Sequence, residues 1–165
     1  MSHAAELKRL MMRRPRLTLA VAESLTAGHV QAQVAAVSGA SNYFLGGVTA
    51  YSLEQKVKLL GVNRAHARKV NCVSQGVAVE MASGACELFG ADLAVATTGY
   101  AEPSKADGVK TPMAWWALCH RRRGDRVAVL SGLIELPGAS RVEAQQRVAA
   151  EVLARLTAYL RELRK

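Results

Sequence analysis

The chain has 165 residues, 50% of them hydrophobic and 21% charged, and its 22 Lys and Arg against 13 Asp and Glu give a formal charge of +9. This composition excludes disordered and collagen-like chains, and a domain of this length buries roughly 70% of its unfolded surface without a disulfide or metal to staple it. Three widely spaced cysteines, Cys72, Cys86 and Cys119, argue against a disulfide framework and a CxxC-type zinc site and fit a reducing compartment.

The N-terminal MSHAAELKRLMMRRPR interleaves charge with apolar residues and has no apolar h-region, and no apolar run of about 18 residues follows, so the expected location is the cytoplasm with no membrane contact. Ala4, Leu7, Leu10 and Met11 fall at helical spacing, and Pro15 ends that predicted helix. LTLAVA at 17 to 22 reads as a buried strand that runs into the polar ESLTAG and then the helical HVQAQVAAV. VTAYS at 48 to 52 reads as a second strand, LEQKVKLLG as a helix stopped by Gly61, and 63 to 70 as a short helix with Asn63 at its N-cap. Ser74 caps a longer predicted helix over 75 to 89, with Val77, Met81, Ala85 and Leu88 inward. ADLAVATTG at 91 to 99 is a third buried strand, followed by the loop YAEPSKADGVKTP. MAWWALCH at 113 to 120 and RVAVLSGLIEL at 126 to 136 read as an antiparallel hairpin joined by RRRGD. From Ser140 a helix runs to Glu162, with Val142, Val148, Val152, Leu156 and Leu160 inward. The order αβαβααβββα predicts a layered α/β fold with a mixed, mostly parallel sheet of five strands. No repeat, low-complexity tract or linker interrupts it, so residues 1 to 165 read as one domain.

The basic residues are scattered among RLMMRRPR, HRRRGDR at 120 to 126 and the last helix, and no aromatic ladder exists to stack bases. A solvated basic surface is therefore preferred to nucleic-acid binding. In open α/β sheets ligands bind beyond the carboxyl ends of parallel strands. Three such ends are rich in hydroxyls: Glu23 to Thr26, Tyr51 and Ser52 with Lys56, and Thr97 to Gly99. A desolvated lysine beside a serine can serve as base toward its hydroxyl, and a helix starting at Thr26 would aim amides at an oxyanion or phosphate. Spacing alone leaves a second reading open, in which Ser24 and Thr26 are helix caps, Tyr51 a half-buried strand residue and Lys56 a solvated lysine.

The run AESLTAG, then YFLGGVTAYSLEQKVKLLGV, VSQGVAVEMASGA and ADLAVATTGYAEP, in that order, resembles the C-terminal domain of the competence/damage-inducible protein CinA, the family of stand-alone nicotinamide-nucleotide amidases. The resemblance extends over residues 5 to 160. It implies a three-layer α/β/α domain that hydrolyses the carboxamide of nicotinamide mononucleotide to nicotinate mononucleotide and ammonia, within pyridine-nucleotide salvage. It implies a small-molecule nucleotide as ligand and no metal or organic cofactor. The family's AESCTGG motif falls on Ala22 to Gly28 and places its serine on Ser24. Its AYSNEAK motif falls on Ala50 to Lys56 and places its tyrosine and lysine on Tyr51 and Lys56. The catalytic residues so implied are Ser24, Tyr51 and Lys56. Those implied to bind substrate are Thr26, Ala27, Gly28, Thr98, Gly99 and Arg141, with Leu25 to Ala27 amides facing the oxyanion and Arg141 the phosphate.

The chain departs from the family in places that touch this expectation. TGIAGPGG is TGYAEPSK here, so Glu102, Ser104 and Lys105 replace glycines, and Glu102 brings a negative charge toward an anionic ligand. AESCTGG is AESLTAG, GTVW begins at Pro112, and SGDR is PGASR, so the Arg141 match needs a one-residue shift. A substrate-shifted or catalytically silent nucleotide-binding relative is the alternative. Of the remaining residues, His29 reads as a polar helix residue, His66 and His120 as surface, and Cys72 and Cys86 as small apolar packing. One of Trp115 and Trp116 should face the core and the other the opposite layer. Tyr43, Phe44 and Leu45 read as an exposed aromatic loop and suggest a homo-oligomer interface.

Overall fold

The computed structural model describes residues 2 to 122 and 127 to 165, so most of the predicted RRRGD turn lies outside the described residues. In chain order the elements are α1 (His3–Met11), β1 (Leu19–Glu23), α2 (His29–Ala35), β2 (Phe44–Thr49), α3 (Leu53–Leu60), α4 (Arg64–Lys69), α5 (Gln75–Phe89), β3 (Leu93–Tyr100), β4 (Met113–Arg121), β5 (Val127–Glu135) and α6 (Arg141–Leu163). The five strands form one mixed sheet in the order β2-β1-β3-β4-β5. β1 pairs in parallel with β2 and β3, and β3, β4 and β5 pair antiparallel. No helix among the described residues is long and apolar enough to cross a membrane.

Strand alternation sorts the side chains into two cores. Leu19, Val21, Leu93, Val95, Trp116 and Leu118 face one side and meet α1, α2 and α6. Ala20, Ala22, Ala94, Ala96 and Ala117 face the other and meet α4 and α5, together with Leu60 of α3. The second face is built almost entirely of small residues, so α5 lies close to the sheet across β1, β3 and β4. The same economy of size recurs one layer out. A Cβ on Gly84 of α5 would fall 2.1 Å from the Leu60 carbonyl oxygen, so only glycine admits the end of α3 here. Lys56 and Leu60, one turn apart on α3, are therefore held inward together.

Several expectations shift. The second strand starts at Phe44 and ends at Thr49, short of Tyr51 and Ser52. Its centre is Gly46 and Gly47, which strand propensity passes over. A Cβ on Gly47 would fall 2.6 Å from the Gln31 side chain, and one on Gly46 2.9 Å from the Phe89 ring. Tyr43 is fully buried and its hydroxyl donates to the Val34 carbonyl at 3.2 Å, so it does not belong to an exposed aromatic patch. Leu45 alone of that trio is exposed. On α6 the inward row is Ala144, Val148, Val152, Leu156 and Leu160, while Val142 is exposed. Six residues before Val148 is the wrong side of a helix with 3.6 residues per turn. Leu88 is likewise exposed on α5, and Ala78, Ala82 and Cys86 complete the buried face. Trp116 is buried against the α6 side and Trp115 packs on the α5 side, as strand alternation required. His120 follows Trp116 and Leu118 on the same side of β4 and is buried, with Nδ1 2.7 Å from the Tyr159 hydroxyl of α6, so it is not a surface residue.

Candidate active site

The carboxyl ends of β1, β2 and β3 open into a cleft of about 510 Å³, closed on its far side by the loop after β3 and the start of α6. Ser24 follows β1 directly and is itself largely buried, and Lys56, 1% exposed, reaches it from α3. Ser52 starts that helix by accepting from the Gln55 amide at 3.3 Å, which sets the phase that turns Lys56 inward.

Lys56 Nζ has three oxygen neighbours: Ser24 Oγ at 2.8 Å, the Ala50 carbonyl at 2.9 Å and the Tyr51 carbonyl at 3.0 Å. An ammonium would donate to all three. A neutral amine has two N–H bonds for the two carbonyls, which can only accept, and its lone pair is then left facing the Ser24 hydroxyl. Among the described residues no carboxylate pairs with Lys56. Burial holds its pKa below the ordinary lysine value, with a smaller opposing pull from Cys72.

The polar stretch after Ser24 differs from expectation. Helix α2 begins at His29 rather than Thr26, and its leading amides are already occupied. Glu23, fully buried at the end of β1, accepts from the amides of Gly28 at 3.0 Å, Val30 at 3.1 Å and Gln31 at 2.9 Å. The Ala27 amide donates to the Ser24 carbonyl at 3.1 Å. This leaves the Leu25 and Thr26 amides with no protein acceptor among the described residues. The Thr26 hydroxyl lies in the interior, 2.8 Å from that of Thr97, so Thr26, Ala27 and Gly28 do not line the cleft, whereas Leu25 does.

Ala27 holds φ at +46°, in the left-handed region, where the resembling motif carries glycine. A Cβ there is strained, so Ala27→Gly is expected to raise unfolding stability by about 0.5 kcal/mol, the relief of strain exceeding the added freedom of the unfolded chain. Urea denaturation measures it.

Thr98 and Gly99 line the cleft as expected, although the Thr98 hydroxyl is committed to the Cys72 carbonyl at 2.6 Å. Arg141 at the start of α6 also lines it and holds two partners, the Glu102 carboxylate and the Tyr51 hydroxyl, each at 2.8 Å. The Tyr51 ring is thus aimed at Arg141 and only its backbone touches Lys56. Glu102, Asn71, Cys72, Tyr100 and Asp107 complete the polar rim. Cys72 is therefore a cleft residue and not simply apolar packing. Asn71 and Cys72 both take positive φ, and Asn71 Nδ2 donates to Tyr100 Oη at 3.0 Å and Asp107 Oδ1 at 3.2 Å. Sequence spacing gave no sign of the 71 to 72 turn, because it joins the cleft from between α4 and α5. Among the described residues no group of three or more His, Cys, Asp or Glu is arranged to hold a metal ion.

A family model described as the CinA C-terminal domain matches residues 2–160. A CinA-like protein of Chlorobium limicola is 39% identical over 151 residues, which cover 89% of this chain and 34% of that protein. A CinA-like protein of Shewanella baltica is 40% identical over 125 residues, covering 76% of this chain and 28% of the relative. The chain thus spans about a third or less of the length of these curated relatives. The crystal structure of a competence-damaged protein (CinA) superfamily protein from Klebsiella pneumoniae superposes with a TM-score of 0.86 at 26% identity, covering 97% of this chain and 96% of that one. One from Escherichia coli superposes with a TM-score of 0.81 at 27% identity, covering 93% and 86%.

Proposed function

The chain belongs to the CinA C-terminal domain family, and on that premise we propose that it is an amidohydrolase that deamidates nicotinamide mononucleotide to nicotinate mononucleotide and ammonia. The observation that carries this reading is the buried contact of 2.8 Å between Ser24 Oγ and Lys56 Nζ. Water is largely excluded from that contact, and among the described residues the lysine has no counter-ion to keep it protonated.

In the first half-reaction Ser24 Oγ attacks the carboxamide carbon and its proton passes to neutral Lys56. The oxyanion so formed is met by the free Leu25 amide, which lines the cleft, since the other donors of this turn are buried or spent on Glu23 and Ser24. Lys56 returns the proton to the departing nitrogen, ammonia leaves, and an ester to Ser24 remains. Water then attacks the ester with Lys56 again as base, the bond to Ser24 Oγ breaks as Lys56 returns the proton to that oxygen, and the acid product leaves as its carboxylate. Arg141, carried with Tyr51 on the cleft wall, receives the phosphate. Tyr51 serves here to orient Arg141 rather than to take the serine proton, because its hydroxyl is bonded to Arg141 and, among the described residues, to neither Ser24 nor Lys56.

The direct test is ammonia release from nicotinamide mononucleotide by the purified protein, with Ser24→Ala as control. Serine-dependent turnover supports the proposal, and absence of turnover removes it. One observation favours a second reading, a changed substrate: Glu102 already occupies Arg141, and Asp107 adds a further negative charge to the rim.

A Lys56 base also fixes the pH dependence. kcat/KM is expected to rise with pH while Lys56 loses its proton and to level off at a pH below the ordinary lysine value of 10.5. The same shift acts on stability. Between the folded and unfolded pKa values the unfolded chain binds the proton and the folded chain does not, so unfolding free energy gains from this group as pH rises through that window. Lys56→Met is expected to flatten that part of the stability profile, read by urea unfolding at a series of pH values.

A further inference from the structure

We propose that the protein carries a second anion site, for a small phosphate-bearing ligand, in a cavity at the opposite end of the sheet from the catalytic cleft. At one end of the β3–β4 ladder Tyr100 pairs with Met113 beside the cleft, and at the other Leu93 pairs with His120 beside this cavity. Seven residues of strand separate the two ends, about 23 Å. The HRRR stretch at 120 to 123, which has no part in the amidase reading, enters this cavity through its first three residues.

The cavity holds about 350 Å³, and its walls include Arg16, Arg121, Arg122, Arg164, His120 and Asp92. Four arginines thus share the cavity with a single carboxylate among the described residues, although the Arg121 guanidinium turns to the Cys86 carbonyl, to which it donates at 3.4 Å. That carboxylate is engaged elsewhere, since Asp92 Oδ2 accepts from both the amide and the hydroxyl of Thr18 at 2.8 Å. Among the described residues none of the four cavity arginines forms an ion pair, a condition shared with Arg13, Arg14, Arg68 and Arg147, while Arg9, Arg64, Arg141, Arg155 and Arg161 are paired.

Arg164 points most directly to a missing anion. One of its terminal nitrogens donates to the Pro15 carbonyl at 2.9 Å, while its Nε is buried with no acceptor among the described residues. That nitrogen has no accessible surface, so the donor left for a ligand oxygen is the other terminal nitrogen, which has no acceptor among the described residues. Neighbouring donors are arranged to extend that contact. Arg122 reaches the Tyr159 hydroxyl at 3.0 Å, and the same hydroxyl meets His120 Nδ1 at 2.7 Å. Burial and the charge of Arg122 push the His120 pKa down, and burial and Arg13 push that of Arg164 down. Leu17, Leu163 and Pro15 supply an apolar wall, so the space suits a phosphate ester as well as a free phosphate.

The test is calorimetric titration of the full chain with inorganic pyrophosphate at low ionic strength, run on the Arg141→Ala background so that the catalytic cleft does not contribute. One saturable site per chain is expected. Arg16 is exposed and bonds to no acceptor among the described residues, so Arg16→Gln leaves the fold intact and should weaken binding about tenfold. Arg122→Gln should do the same, and Ser24→Ala should change nothing. The inference is overturned by any of three results: no saturable binding, binding unaffected by both arginine substitutions, or binding seen only with oligonucleotides and strengthening with their length. The last would identify a polynucleotide surface. Because the titration reads binding on a cleft variant, its outcome is independent of the amidase reading.

Discussion

Substituting Ser24 by alanine is expected to lower ammonia release from nicotinamide mononucleotide by at least about a thousandfold, and Lys56→Met by a similar factor. The two substitutions remove the attacking oxygen and the group that accepts its proton, and the 2.8 Å contact between them makes them one unit. Their effects should therefore not add: the double variant should be no slower than either single one. The two differ in what they leave behind. Ser24→Ala keeps both carbonyl bonds of Lys56, so circular dichroism and melting should match the parent. Lys56→Met strips the Ala50 and Tyr51 carbonyls of their donor, and a small loss of stability near neutral pH is compatible with the mechanism provided the fold persists. Lys56→Arg should not rescue turnover, because a guanidinium stays protonated and cannot take the serine proton. Losses of less than tenfold in both single variants would remove the serine–lysine reading.

The sequence revealed the layers of this fold more readily than the wiring of its site. Apolar runs such as LAVA in β1 and LAVATT in β3 announce buried strands, and the helix expected from Ser140 begins where α6 is found, with Ser140 at its N-cap. Strand β2 was displaced because its glycines are dictated by Gln31 and Phe89, two side chains remote in sequence. The same remoteness hid Glu23. Read along the chain it is one polar residue in a polar run, yet in space it gathers the amides of Gly28, Val30 and Gln31, so the start of α2 is not open to an anionic ligand. His120 misled for a different reason: its sequence neighbours are arginines, while strand alternation places it behind Leu118 against Tyr159. Ser24 and Lys56 themselves were legible as a pair only through the family resemblance. Spacing cannot distinguish a solvated lysine from one that is 1% exposed, since that depends on Gly84 letting α3 settle against α5.

Arg141→Ala is expected to reduce kcat/KM for nicotinamide mononucleotide about a hundredfold, through KM more than kcat, while leaving hydrolysis of the corresponding riboside nearly unchanged. The argument turns on what Glu102 does to Arg141. Their ion pair is well exposed, with side chains 62% and 46% accessible, and such pairs are weak in water. A phosphate dianion offers the guanidinium more charge and a second oxygen, so it can displace the carboxylate and keep the Tyr51 contact on the other nitrogen. Glu102 then lowers affinity without abolishing it. Glu102→Gly should accordingly raise kcat/KM for the mononucleotide by no more than about fivefold and leave the riboside unaffected. If instead both substitutions leave the mononucleotide rate unchanged and the riboside is the better substrate, the Glu102–Arg141 pair is a fixed part of the wall and the cleft accepts a carboxamide without its phosphate. Ser24 and Lys56 would retain their roles in that case, because neither depends on the charge at the far side of the cleft.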